Sequence, residues 1–241
     1  MGLRVSLREA VRLLASGYGA VERPPSSDPF ALVLWENVAY LASPAKRREA
    51  FEELREAVGT TPAAIARASD RALEEVTARG ILGVRFAAKL RECARIAIEK
   101  HGGDLAAVVR GPLPAARKAL RAYPGIGEPG ADKILLFAGR EAVLAPESNG
   151  LRVLERLGFV RPDKSYARMY AAAREAAKAL PPDVRAMQKA HLLLQEHGRT
   201  LCKRTAPRCE VCPLARRCAW ALGRRIPLAS ARGRRVVSAK T

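Results

Sequence analysis

Apolar positions recur along the chain with a period near 3.6, and no long stretch alternates with a period of two, so the pattern predicts helices throughout. Ser6-Leu7-Arg8-Glu9 has the spacing of a capping box. Leu7, Ala10, Val11 and Leu14 form one apolar stripe behind it, and Gly17 is placed to stop that helix. Pro24 to Pro29, with two serines and an aspartate between, is expected to be a linker. A second helix is expected over Phe30 to Leu41. Ser43-Pro44 and Thr61-Pro62 each set a capping hydroxyl before a first-turn proline and so start two more. Phe86, Leu90, Cys93, Ala94 and Ala97 make another stripe, which marks Cys93 as a small buried apolar residue. Val184, Met187, His191 and Leu194 do the same for a late helix and make His191 a core histidine. No internal repeat is present, and the arginine-rich, small-residue tail after Arg224 is expected to be mobile.

Composition narrows the class. With 49% apolar residues, 241 positions suffice for one large or two modest domains, and no apolar run is long enough to cross a bilayer. No secretory signal opens the sequence, so an intracellular, cytoplasmic protein with reduced thiols is expected. The formal charge is +19, from 43 Lys and Arg against 24 Asp and Glu, and the usual partner for such an excess is a polyanion. Much of it is local: Arg199 to Thr241 holds twelve basic residues and one acid. A generic basic surface does not explain why the charge crowds around the cysteines.

Those cysteines, Cys202, Cys209, Cys212 and Cys218, follow the order C-x6-C-x2-C-x5-C within seventeen residues. Four thiolates so close in sequence can close on a metal or an iron-sulfur cluster without help from elsewhere in the fold. A structural zinc uses the same ligands but usually comes as two paired C-x2-C knuckles, and a disulfide pair requires an oxidising compartment. Upstream, Leu120-Arg121-Ala122-Tyr123-Pro124-Gly125-Ile126-Gly127-Glu128-Pro129 predicts a helix ending near Tyr123, a tight turn with two glycines, and a new helix with Pro129 in its first turn. Glycines let backbone approach a phosphate closely, and the first amides of a helix carry partial positive charge. Such a hairpin grips a phosphodiester without reading bases.

Together these motifs resemble the iron-sulfur branch of the helix-hairpin-helix DNA glycosylases, the endonuclease III and adenine-mismatch glycosylase group, over most of residues 26 to 220. Pro124-Gly125-Ile126-Gly127 matches the family hairpin. His197-Gly198-Arg199 matches the run before the first cluster ligand, and the cysteine spacing is that of the family's [4Fe-4S] site. The resemblance implies an all-α architecture of two helical lobes with DNA in the groove between them. Residues 26–141 would form a six-helix barrel carrying the hairpin, residues 1–25 and 142–225 the cluster domain, and residues 226–241 a basic tail. It also implies a structural [4Fe-4S] cluster on the four cysteines. The basic loop bearing Lys203, Arg204 and Arg208 would lie on the DNA backbone, with Gly125, Ile126 and Gly127 holding a phosphate.

The departures from the family pattern are chemical. Where the bifunctional enzymes place a Schiff-base lysine, two residues after the second hairpin glycine, this chain has Pro129, which has no amine. Lys133, one turn later, either presents an amine on the same face or packs its stem and solvates its head. Aligning Asn149 and Arg152-Val153 puts Glu147 where the family has a catalytic aspartate. Leu32-Val33-Leu34-Trp35-Glu36-Asn37-Val38 aligns Glu36 with the glutamate that protonates the departing base in adenine-mismatch glycosylases. Its apolar surroundings would raise its pKa toward the range of a general acid. Tyr40 and Leu41 stand where the family inserts a side chain into the space of the flipped nucleotide; Tyr40 serves equally as core.

The resulting expectation is a monomeric, monofunctional base-excision-repair glycosylase acting on double-stranded DNA that contains a damaged or mispaired base. Glu36 would be the general acid and Glu147 the charge-stabilising or water-activating group. Two other readings fit the same residues: a DNA- or lesion-binding protein without chemistry, and a bifunctional glycosylase and lyase that uses Lys133.

Overall fold

In the computed structural model, residues 5–39, 42–80 and 83–223 are described; Leu41, at the end of the expected second helix, and the tail after Arg224 lie outside them. Every regular element among the described residues is helical, as the period of the apolar positions requires. None of these helices is long and apolar enough to cross a membrane. The chain divides into two units, Pro24–Glu141 and a second made from residues up to Arg23 together with those from Ala142 onward.

In the first unit, short polar side chains start one helix after another. Asp28 caps α2 (Pro29–Asn37), Ser43 caps α3 (Pro44–Ala57), Thr61 caps α4 (Pro62–Arg67) and Ser69 caps α5 (Asp70–Thr77). In each the side-chain oxygen accepts an amide of the first turn, and α2, α3 and α4 also have proline there, where no amide is lost. Next come α6 (Gly83–His101), α7 (Leu105–Arg110), α8 (Leu113–Leu120) and α9 (Glu128–Phe137). Phe30, Ala31, Leu32, Val33 and Leu34 are all buried, so α2 is apolar on every side and runs through the core, against α3, α6, α7 and α9. The expected α6 stripe is buried in full, and burial pushes the Cys93 thiol up to about 12, as suits a packing residue. Helix α2 stops at Asn37, four residues short of expectation.

In the second unit, Ser6 caps α1 (Leu7–Tyr18) by accepting the Glu9 amide. This helix runs past Gly17 and stops where Gly19 takes φ +68°, so a glycine does end it, two residues later than expected. After Ala142 come α10 (Ser148–Leu157), α11 (Tyr166–Ala176), α12 (Val184–Thr200), two short 3₁₀ turns around the cysteines, and α13 (Ala219–Gly223). Helix α12 packs on α1 and α10, burying Met187, His191 and Leu194, and leaves Val184 half-exposed at its first turn.

One buried charge locks the hairpin helices. Asp132 of α9 is fully buried and accepts from Arg117 Nε of α8 at 2.7 Å, while the same guanidinium reaches Glu141. Removing one partner of such an arrangement leaves a carboxylate in the core without its cation, which costs about 3 kcal/mol. Arg117→Met is therefore expected to lower the unfolding free energy by about that amount in urea titrations. A loss below about 1 kcal/mol, the range of an exposed pair, would show that the cation is dispensable to the hairpin.

Candidate functional site

Two clusters of candidate side chains stand out, one in each unit. In the first, Leu120 ends α8 and a tight turn follows, in which the Ile126 amide donates to the Tyr123 carbonyl at 3.1 Å. Pro124 and Gly125 are its central residues. Gly125 at φ +75° is the left-handed position that a type II turn demands, and a Cβ there would lie 3.0 Å from Asn37 Oδ1. Ile126 is buried, so it holds the turn from beneath and has no side chain to offer a ligand. Gly127 precedes α9 in extended backbone with no side-chain cap, unlike the starts of α2 to α5, and a Cβ on it would meet only Pro129 Cδ at 3.9 Å. The fold therefore has no need of glycine at 127, and the first-turn amides of α9 lack the usual capping oxygen.

Helix α2 is fastened to this turn. Asn37, 1% exposed, donates from Nδ2 to the Val33 carbonyl and to the Pro124 carbonyl, both at 3.1 Å. The residue before it, Glu36, is ion-paired through Oε2 with Lys133 Nζ of α9 at 2.5 Å. Glu36 is thus less isolated than its apolar sequence neighbours imply. Neither contact carries a sequence signal beyond a polar residue in an apolar run, so both were missed.

In the second unit Glu147 caps α10. Its Oε1 accepts from the Gly150 amide at 3.0 Å, and its Oε2 accepts from the Asn149 amide and Asn149 Nδ2, each at 2.9 Å. The amino end of a helix favours negative charge. From here polar contacts run to the cysteine loop. Arg152 donates to Asn149 Oδ1 at 2.7 Å, to the Gly198 carbonyl at 2.8 Å and to the Cys202 carbonyl at 2.9 Å. A Cβ on Gly198 would fall 2.4 Å from the Asn149 carbonyl oxygen, so α12 approaches the α10 start as closely as glycine allows.

All five cysteines are free thiols, and Cys202, Cys209, Cys212 and Cys218 line one cavity with Arg156, His197 and Trp220 among its other walls. Among the described residues, no three His, Cys, Asp or Glu side chains are grouped to hold a single metal ion. Burial pushes Cys202 and Cys209 up and Cys212 up to about 12, so a metal bound by these thiols must displace their protons. Nitrogens of Arg156 and His197 face two of the sulfurs. Arg156 Nη1 is 3.3 Å from Cys202 Sγ, and the same side chain binds the Lys203 and Arg204 carbonyls while lying over the Trp220 ring. His197 Nε2 is 3.5 Å from Cys212 Sγ, its Nδ1 is 2.9 Å from Tyr18 Oη, and burial lowers its pKa to about 4. Lys203, Arg204 and Arg208 are exposed, and Arg208 also lines the edge of the cysteine cavity. Tyr40 and Leu41 lie outside the described residues.

No family model matches the chain. It is 27% identical to endonuclease III of Thermotoga maritima over 195 residues, 80% of this chain and 83% of that one. It is 24% identical to the thymine/uracil-DNA glycosylase of Pyrobaculum aerophilum over 211 residues, 86% and 88% of the two. The adenine DNA glycosylase of Mycobacterium tuberculosis is 33% identical over 163 residues, and the chain spans about half of that relative's length. Among solved structures, a trapped endonuclease III–DNA covalent intermediate has a TM-score of 0.74 at 22% identity, covering 91% of this chain and 97% of that one. A thermostable thymine-DNA glycosylase has a TM-score of 0.71 at 17% identity, covering 90% and 97%. The fold is that of endonuclease III. With relatives of three kinds sharing it, the chain belongs to the helix-hairpin-helix DNA glycosylase superfamily.

The close approach at Gly198 supports a stability prediction. Gly198→Ala is expected to lower stability by about 1 to 3 kcal/mol, the usual cost of overpacking, and to be worse than Gly127→Ala, whose Cβ has room. Equal melting temperatures for the two variants would contradict the packing described.

Proposed function

We propose that this chain is a base-excision-repair DNA glycosylase that hydrolyses the N-glycosidic bond of a damaged or mispaired base in duplex DNA, as an intracellular monomer and without a lyase step. The observation that carries the proposal is the join at Asn37, which ties an uncapped, glycine-flanked helix start to the helix that bears Glu36. The first supports a phosphodiester contact through the backbone amides of Gly125 and Gly127, the Ile126 amide being taken within the turn by the Tyr123 carbonyl; the second supplies a carboxyl for proton transfer to the departing base. Pro129 has no amine, and the Lys133 ammonium is engaged by Glu36, which favours hydrolysis over Schiff-base chemistry.

Glu147 is assigned the stabilisation of positive charge on the sugar, or the activation of water. The chemistry of the ligand set in the cysteine cavity, four free thiols with an Arg156 N–H facing Cys202 Sγ and the His197 ring beside Cys212, fits a [4Fe-4S] cluster held by Cys202, Cys209, Cys212 and Cys218. Lys203, Arg204 and Arg208, on the loop that such a cluster would brace, are the side chains assigned to meet the sugar-phosphate backbone. One observation favours the non-catalytic reading: the Glu147 oxygens are already engaged by their own helix start.

Single-turnover excision on duplexes carrying uracil, thymine mispaired with guanine, adenine opposite 8-oxoguanine, an alkylated purine or an oxidised pyrimidine separates the readings. Tight binding with no excision of any of them would leave only a binding protein. On the duplex cut best, Glu36→Gln is expected to slow excision by about a hundredfold to ten-thousandfold with little change in affinity. Glu147→Gln keeps one oxygen to cap α10 but replaces the second acceptor with an amide NH2, so its stability is measured beside its rate; an unaltered rate in that variant would make Glu147 structural. Lys203→Ala with Arg204→Ala is expected to weaken binding alike on all sequences and to reduce the slope of log K against log salt by about 2. An unchanged slope would take the loop off the DNA.

A further inference from the structure

Tyr166 opens α11 and stands exposed beside the start of α10. Among the described residues, the large apolar side chains left exposed are Val84, Ile98, Leu222 and Tyr166, and Tyr166, at 43%, is the aromatic ring among them. Exposure alone would mean little, because single apolar side chains are common on protein surfaces. What sets Tyr166 apart is how firmly it is held and what it is held against. Its backbone belongs to a braced helix start: Ser165 Oγ accepts the Arg168 amide at 3.4 Å, while Asp163 accepts the Ser165 amide at 2.7 Å and both Nε and Nη2 of Arg168 at 2.8 Å. The ring lies nearly parallel to that of the buried Tyr170, with 12° between the planes and 6.2 Å between the centroids. The hydroxyl donates to the Pro146 carbonyl at 3.3 Å, one residue before Glu147. Burial, and after it the charge of Glu147, push the phenol up from its ordinary range, so the ring is neutral at neutral pH and within electrostatic reach of that carboxylate.

A ring so placed has a chemical use that the groups described above do not supply. An enzyme that works on a base in duplex DNA draws the nucleotide out of the stack, and the stacking lost there can be regained on the protein. Aromatic side chains regain it for any base, because every base has a π-face, and a ring already immobile gives up little conformational freedom in doing so. The surroundings carry a suitable charge. Arg168 is engaged by Asp163, and Arg161 and Lys164, in the turn before α11, are exposed.

We propose that the exposed ring of Tyr166 is a stacking site for an unstacked nucleobase, beside the carboxylate assigned to the sugar. The proposal rests on the reading of this chain as a DNA glycosylase with Glu147 at the sugar. It adds a contact of another kind to the amides and cations of that reading: uncharged, tolerant of base identity and insensitive to salt.

The test compares the binding of two probes that need no turnover, a fully paired duplex and the same duplex with an unpaired thymine bulge, measured by fluorescence anisotropy. Tyr166→Leu is expected to weaken binding of the bulged duplex by about fivefold to a hundredfold, to leave the paired duplex nearly unchanged, and to keep the salt slope of the parent protein. Tyr166→Phe, which keeps the ring and loses the hydroxyl, is expected to bind both as the parent does. Equal affinities of the parent and Tyr166→Leu for the bulged duplex would overturn the proposal. So would a loss in Tyr166→Phe as large as in Tyr166→Leu, which would assign the effect to the hydroxyl and the Pro146 peptide. A direct readout in the parent protein is proton NMR of the Tyr166 ring, assigned by the loss of its signals in Tyr166→Phe. Those signals must move upfield when the bulged duplex is added, and unmoved signals overturn the stacking site. If the parent protein binds neither duplex, the glycosylase reading fails and takes the stacking site with it, an outcome distinct from tight binding that Tyr166→Leu leaves unchanged.

Discussion

The Asn37 side chain makes two hydrogen bonds from one buried amide nitrogen, to the carbonyl of its own helix at Val33 and to Pro124 in the hairpin turn. A buried amide that lost either acceptor would face the full cost of desolvation, about 1 to 3 kcal/mol, so the hairpin cannot leave α2 cheaply. Gly125 makes the same statement sterically: it takes a left-handed backbone and leaves no room for a Cβ beside Asn37. The rest of the first unit supports this join. The apolar shell around α2 fixes where Asn37 and Glu36 stand, and the Arg117–Asp132 contact fixes α8 and α9 as a pair, so that a turn of few residues is held as firmly as a helix.

The second unit reaches comparable rigidity by a different route. Its cysteine segment consists of short turns that bury Leu201, Leu214 and Ala215, and Ala206 takes a positive φ within it. What orders the segment is hydrogen bonding from arginines on α10. Arg152 binds the Cys202 carbonyl, and Arg156 binds the next two carbonyls and touches the Cys202 sulfur. A planar guanidinium with five donors can hold several acceptors at fixed angles, which a lysine cannot. The cysteines therefore line their cavity within a frame of contacts from α10, and a bound cluster would find part of its shell of donors there.

How much of this was legible in the sequence depended on the range of the interaction. Helix starts were readable because a cap and its amide are three residues apart, as at Ser6, Ser43 and Thr61. The α6 stripe was readable because its burial repeats every turn. Helix ends were less so: Gly17 stays helical because nothing obliges a glycine to break a helix, and the left-handed residue is Gly19. For α2 the apolar run continues past the last helical residue, so its composition alone could not mark Asn37 as the end. At the site, the four cysteines and two glycines were legible because they are close in sequence. Glu36 with Lys133, Asn37 with Pro124, and Arg152 with Cys202 were not, because each contact joins residues that only the tertiary fold brings together.

The same distinction corrects a simple use of net charge. The crowding of arginines toward the C-terminal part of the chain invites the view that all of them await a polyanion. Among the described residues several have internal work instead: Arg217 pairs with Glu9, Arg199 with Glu196, and Arg152 and Arg156 are spent on carbonyls of the cysteine loop. Lys203, Arg204 and Arg208 differ in being exposed, with Arg208 only 4.0 Å from Glu210 at its tip. Two kinds of cation thus meet at the cysteine loop. Arg152 and Arg156 of α10 shape it, and Lys203, Arg204 and Arg208 on it can be screened by salt or neutralised by phosphate. In the proposed function only the second set meets the sugar-phosphate backbone, and its placement depends on the first.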